Sequence, residues 1–220
     1  MLVTQPLSRP VGQGRITIAD RLVPIRLGER ISTRIRDLAL ICVGTVFIAL
    51  TANVTVFLPN NPVPITGQTL SVLVVGGALG LRRGATSVAL YLALGLFLPV
   101  YAGQAQGLGT IISIGSSGLV LGAVGGYLIG FLFAAALVGR LAELGWDRHI
   151  PSAIAAMIVG EIVIYAIGVP WLALAVGVSP AKAIDLGFTP FILGDAIKLA
   201  IAAGIFPAAW WLVGRRASER

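Results

Sequence analysis

From Leu38 onward the apolar positions fall into six runs separated by short polar or proline-containing breaks. The first, residues 38–58, matches the roughly 20 residues a helix needs to cross hydrocarbon, and Asn60, Asn61, Pro62 and Pro64 end it. The second, residues 68–81, is short for a full crossing and stops at Arg82 and Arg83. The third, residues 86–98, ends at Pro99, and a neutral loop rich in Gly, Gln and Ser follows over residues 100–117. The fourth spans 118–144. The fifth spans 151–176, with a kink expected at Pro170, where the ring removes a backbone donor. The sixth spans 189–213. The pattern predicts an all-α integral membrane protein, a single bundle of six transmembrane helices. Residues 1–33 read as a basic tail, loosely ordered up to about Ser32. Residues 34–216 read as the membrane domain and 217–220 as a C-terminal tail.

Composition excludes the other classes. The 220 residues are 57% hydrophobic and 11% charged, with a mean hydropathy of +0.95. A soluble domain carries roughly 25% charge. Disorder needs low hydrophobicity and high charge. The lone Cys42 has no internal partner and reads as a small apolar residue. Residues 1–37 hold seven arginines and no apolar stretch of signal-peptide length, so no cleaved export signal is expected.

The net charge of +7 invites a nucleic-acid reading, but the basic residues sit at the edges of apolar runs. Residues 38–81 and 84–139 carry no charge at all. Placing the N-terminus in the cytoplasm puts 14 of the 16 basic residues on that side, leaving Lys182 in an outer loop and Lys198 within a helix. The positive-inside rule therefore selects cytoplasmic N- and C-termini, a multi-pass cell-membrane protein and no nucleic-acid partner. Trp146, Trp210 and Trp211 then fall at the inner interface. Arginines of the tail are placed to touch anionic lipid.

Small residues recur at four-residue spacing: Gly118, Gly122, Gly126, Gly130 and Ala134; Ser152, Ala156 and Gly160; and Ala196, Ala200, Gly204 and Ala208. Such stripes let helix backbones approach closely in lipid. Packing within the bundle is the expected use, and a docking face for a membrane partner is the alternative.

Ionisable groups within a span mark function, because insertion costs roughly 2.5–3.5 kcal/mol each. Asp195 and Lys198 lie at i, i+3 on one helical face and are expected to pair at a polar recognition site toward the outer side. A purely structural ion pair is the alternative. Glu161 falls near the inner end of its span and is expected to reach the headgroups. In the first outer loop Thr66, Gln68 and Thr69 offer uncharged donors and acceptors behind Pro62 and Pro64, as a cap, a lid or both. Tyr101 to Gly107, with Gln104, forms a second, softer lid. His149 is the only histidine, there is no His/Cys metal cluster, and no G-x-x-x-x-G-K-[ST] run is present. These absences favour binding over catalysis.

The chain resembles the BioY family, the biotin-binding S components of energy-coupling-factor (ECF) vitamin transporters. The resemblance covers about residues 34–216. It rests on Pro64-Ile65-Thr66-Gly67-Gln68-Thr69-Leu70, Arg82-Arg83-Gly84-Ala85, Leu90-Tyr91-Leu92 with Leu94-Gly95, and Pro99-Val100-Tyr101-Ala102-Gly103. It continues through Gly125-Gly126-Tyr127-Leu128, Gly168-Val169-Pro170-Trp171-Leu172-Ala173-Leu174, Pro190-Phe191 and Gly194-Asp195-Ala196-Ile197-Lys198. The pair Ala123-Val124 stands where the family commonly has Pro-Thr. The resemblance implies uptake of biotin from the outer face, with Asp195 and Lys198 in the biotin site and Thr66, Gln68, Gln104 and Tyr127 as further contacts. It implies an ECF module of one transmembrane coupling protein and two ATPase subunits, with solitary operation as the alternative; membrane lipid and a second copy of the chain, in a homo-oligomer, are further candidate partners. No cofactor is expected, biotin being cargo, and this chain is not expected to be an enzyme. An S component for thiamine or riboflavin, and a non-transport membrane scaffold with a structural Asp-Lys pair, are the rival readings.

Overall fold

The computed structural model describes residues 17–22, 32–115 and 118–218. In chain order the helices are α1 (Ile18–Leu22), α2 (Thr33–Ala52), α3 (Gln68–Gly95), α4 (Gly125–Glu143), α5 (Ile150–Val176), α6 (Pro180–Gly187) and α7 (Ile192–Ser218). Two small antiparallel hairpins complete the order: β1 (Thr55–Val56) with β2 (Ile65–Thr66), and β3 (Ile112–Gly115) with β4 (Gly118–Leu121). Among the described residues, α2, α4, α5 and the stretch covering α6 and α7 are long and apolar enough to cross a membrane.

α3 is not a straight rod. Gly80 has φ 82° and ψ 178°, a conformation that costs glycine least because it has no Cβ. The chain doubles back there. Gln68 and Tyr91 are 23 residues apart, yet Gln68 Nε2 donates to Tyr91 Oη at 2.5 Å. A straight helix would hold those backbones about 35 Å apart. A Cβ on Gly84 would stand 2.9 Å from Gly76 Cα, so the two limbs touch backbone to backbone. Glu143 Oε1 of α4 accepts from Leu81 N at 2.9 Å, satisfying the first amide after the break. The two short apolar runs, 68–81 and 86–98, are therefore the limbs of one helical hairpin, with Arg82 and Arg83 just past its turn.

Small residues set the closest approaches. A Cβ on Gly76 would meet Ala135 O at 2.7 Å, and one on Gly130 would lie 3.0 Å from Ile164 Cα. Gly126, Gly130 and Ala134 are buried on α4, and Ala156 and Gly160 on α5, as expected of packing stripes. Two expectations need correcting. The fourth run does not begin as a helix: Gly118 starts β4, Gly122 follows it, and α4 begins only at Gly125. Ile112 pairs with Leu121 and Ile114 with Leu119, so part of the expected loop and part of the expected helix form one hairpin. The stripe Ala196, Ala200, Gly204 and Ala208 on α7 is exposed and does not pack inside the bundle. α5 passes through Pro170 as a single helix, and Lys182 lies in α6 rather than in a loop.

The end of the bundle bearing the arginines is stapled by ion pairs. Thr17 caps α1 through Asp20: its Oγ1 donates to Asp20 Oδ2 at 2.8 Å, and Asp20 N returns a bond to Thr17 Oγ1 at 3.4 Å. Asp20 Oδ1 accepts from Arg83 Nη2 at 2.7 Å and from Arg36 Nη2 at 3.3 Å. Thr17, Ile18 and Ala19 are buried, so this part of the tail is docked rather than loose; residues 1–16 and 23–31 lie outside the described residues. Burial alone pushes the Asp20 carboxyl up, but hydrogen bonds from Arg83 and Thr17 outweigh it and hold the group below its ordinary value. At the same end, Asp147 Oδ2 accepts from Trp210 Nε1 at 2.6 Å, while the Arg148 guanidinium lies 5.1 Å from the Trp210 ring centroid. Burial raises the Asp147 carboxyl despite the Trp210 bond.

Candidate functional site

At the opposite end, loops and helices enclose a cavity of about 230 Å³, just below the usual range for small-ligand pockets. Its apolar walls come from Leu128 and Phe131 of α4, Ile164 of α5 and Phe191 before α7. Pro62, Val63, Pro64 and Thr66 close one side, and Tyr101, Ala102, Ala105 and Thr110 another. The first of these loops is anchored by β1–β2, in which Thr55 pairs with Thr66. Asn61 fixes it again by donating from Nδ2 to Leu186 O of α6 at 2.8 Å. Tyr101 is buried and donates to Leu92 O at 2.7 Å, which ties the second loop to α3.

The polar corner is built by three helices. Lys198 of α7 lines the cavity, and its Nζ donates to Asp195 Oδ1 at 3.0 Å and to Thr69 Oγ1 of α3 at 2.9 Å. The i, i+3 spacing thus produces the ion pair it implies. Asp195 is buried and sits behind the wall; its other oxygen, Oδ2, accepts from the Tyr165 hydroxyl of α5. An ammonium has three donors, so one N–H of Lys198 remains for a ligand. The Tyr165 oxygen and the remaining lone pairs of Asp195 supply acceptors. A neutral group with both N–H and C=O functions suits this corner, since the Lys198 charge is already paired.

Thr66, Gln68 and Tyr127 also line the cavity. Thr66 Oγ1 accepts from Gln68 N at 3.2 Å and donates to Gln68 Oε1 at 3.1 Å, so it caps α3 and faces the cavity at once. Gln68 is held by its bond to Tyr91. Tyr127 donates to Gly187 O at 2.9 Å, and its ring meets Tyr165 edge-on at 6.2 Å. Gln104 is placed differently. It is exposed, has φ 62° and stands outside the lining, although its neighbours Ala102 and Ala105 belong to it.

Sequence reasoning passed over Tyr165 as a site residue and read Thr69 only as an uncharged group of the first outer loop, not as a partner of Lys198. Tyr165 lies one helical turn after Glu161, a polar face on an otherwise apolar helix, which is the signal that could have found it. Glu161 itself corrects an expectation. It does not reach the headgroup region but is only 6% exposed, and neither carboxylate oxygen has a hydrogen-bond partner. Among the described residues no group of His, Cys, Asp and Glu is arranged to hold a metal.

A family model described as the BioY family matches residues 25–215. The biotin transporter BioY of Rhizobium etli is 36% identical over 177 residues, covering 76% of this chain and 89% of the relative. The biotin transporter BioY of Rhodobacter capsulatus is 38% identical over 162 residues, covering 66% of this chain and 80% of the relative. Among solved structures, the 2.1 Å crystal structure of the S-component for biotin from an ECF-type ABC transporter superposes with a TM-score of 0.68. It is 27% identical and covers 81% of this chain and 92% of that chain.

Proposed function

The chain belongs to the BioY family, and we propose on that footing that it captures biotin at the outer face of the cell membrane and delivers it inward as an S component. Six crossings carry it, the two limbs of α3 counting as two, with the N- and C-termini cytoplasmic. An ECF module of one transmembrane coupling protein and two ATPase subunits supplies the energy, and this subunit performs no chemistry on its cargo. The observation that carries the reading is the paired Asp195–Lys198 corner in an otherwise largely apolar cavity. The ureido group of biotin offers two N–H donors and one acceptor. Its oxygen takes the remaining Lys198 N–H, and its N–H groups turn to Asp195 and the Tyr165 oxygen. The apolar thiophane ring lies against Phe131, Ile164 and Phe191. The valerate points to the 57–66 and 101–110 loops, toward Thr66 and, at the start of α3, Gln68.

The test is calorimetric titration of the purified full chain in detergent with biotin, thiamine and riboflavin. Saturable one-to-one binding of biotin alone is expected. A folded sample that ignores biotin and binds either of the others would reassign the substrate. Silence toward all three would promote a scaffold in which Asp195 and Lys198 are a structural pair.

A further inference from the structure

Among the described residues, Glu161 is the one buried acid at the site end of the bundle for which the binding corner has no use. Its side chain is more than nine-tenths buried on α5, and both carboxylate oxygens lack a hydrogen-bond donor. Charged groups act on it from a neighbouring helix. From α7 come Asp195 and Lys198, whose charges it feels. On its own helix stands Tyr165, whose hydroxyl donates to Asp195 Oδ2. A Cβ on the adjoining Gly160 would meet the apolar side chains of Leu73 on α3 and Val138 on α4. Lys198 is already committed to Asp195 and Thr69. Two acids thus share one base in a membrane interior, which leaves one negative charge without a counterion. A buried charge of that kind is retained only when something pairs with it.

We propose that Glu161 is a binding site for one small monovalent cation, a proton or a sodium ion, which completes the charge balance of the Asp195–Lys198 corner. The orphaned oxygens are the ligand atoms, and the ion enters as the missing partner. Because Glu161 and the ligand corner share the field of Asp195, occupancy of one site alters affinity at the other, and the coupling runs both ways. Uptake by this chain is then linked to the cation on the side from which biotin is captured. The proposal rests on the biotin reading only for that linkage; the cation site itself stands without it.

The experiment is therefore run without biotin. The full chain in detergent is melted in sodium and in choline at fixed pH, and then across pH in choline, alongside Glu161→Gln and Glu161→Asp. In wild type, withdrawing the relevant cation lowers the apparent melting temperature by about 5 °C. A loss on replacing sodium identifies sodium; a loss only as pH rises in choline identifies the proton. Glu161→Gln abolishes that response and Glu161→Asp keeps it. An infrared spectrum of wild type in choline guards against a Gln variant that does not fold. A protonated-carboxyl C=O band that vanishes on raising pH or adding sodium supports the site. A wild type that responds to neither cation and shows no such band overturns the proposal, as does a folded Gln variant that responds as wild type does.

Discussion

The two ends of the bundle use the same chemistry for different ends. At one, Asp20 sits between Arg83 and Arg36, with side chains 17% and 13% exposed, and ties α1 to α3 and α2. At the other, Asp195 pairs with Lys198, at 8% and 15%, beside a cavity. The distances are alike, 2.7 Å and 3.0 Å. The surroundings differ. The Asp20 cluster abuts charged neighbours and holds chain segments together. The Asp195 pair borders an apolar hollow, and Lys198 keeps a donor that nothing in the protein uses. An ion pair reads as a staple or a site according to what stands next to it.

The comparison can be broken most decisively at Asp195. Asp195→Asn retains an acceptor for Lys198 and Tyr165 but loses the charge, and biotin affinity should fall roughly 100-fold, since a hydrogen bond to a charged group is worth about 1.5–3 kcal/mol. Calorimetry checks this, and circular dichroism checks that the helices remain. Tyr165→Phe removes one donor to the same carboxylate, and titration should show an affinity loss of about tenfold. At the arginine end the currency is stability. Asp20→Ala should lower the melting temperature by about 2–4 °C, the scale of 1 kcal/mol in a chain of this size, and leave biotin affinity within about twofold.

The two aspartates of that end should also respond to pH with opposite sign. The folded state holds Asp20 below its ordinary value of 3.8, so its contribution is present above that pH and is lost as acid protonates it in the folded chain. The gap between wild type and Asp20→Ala should therefore close below about pH 4. Asp147 is held above 3.8. Its ionised form disfavours folding, so its stabilising share is complete below the unfolded value and is lost as pH rises through the folded one. Asp147→Asn should melt at or slightly above wild type at neutral pH and flatten that part of the profile. The smallest effect is at Gln104. Exposed and outside the lining, Gln104→Ala should change biotin affinity by less than about twofold.

Much of this was legible in the chain, and the exceptions have physical reasons. The Asp195–Lys198 pair follows from helical spacing alone. The reversal at Gly80 is prefigured by the two short apolar runs, 68–81 and 86–98, and by the arginines that separate them. The β3–β4 hairpin was missed because short apolar runs look alike as strand or buried helix when judged by periodicity. The β-branched Ile112, Ile114 and Val120 flanking Gly115-Ser116-Ser117-Gly118 were the better signal. Glu161 was misplaced because distance along a helix says how deep a residue lies, not which neighbours surround it. Tyr165 was missed for the same reason: its partner stands 30 residues away.

The most direct test crosses the two ends in one measurement: biotin affinity and melting temperature for Asp195→Asn and Asp20→Asn, side by side with wild type. The account predicts that the first loses affinity by roughly two orders of magnitude with its helices intact, and that the second loses only a few degrees of stability. Wild-type affinity in Asp195→Asn, or equal loss of binding in both variants, would contradict it.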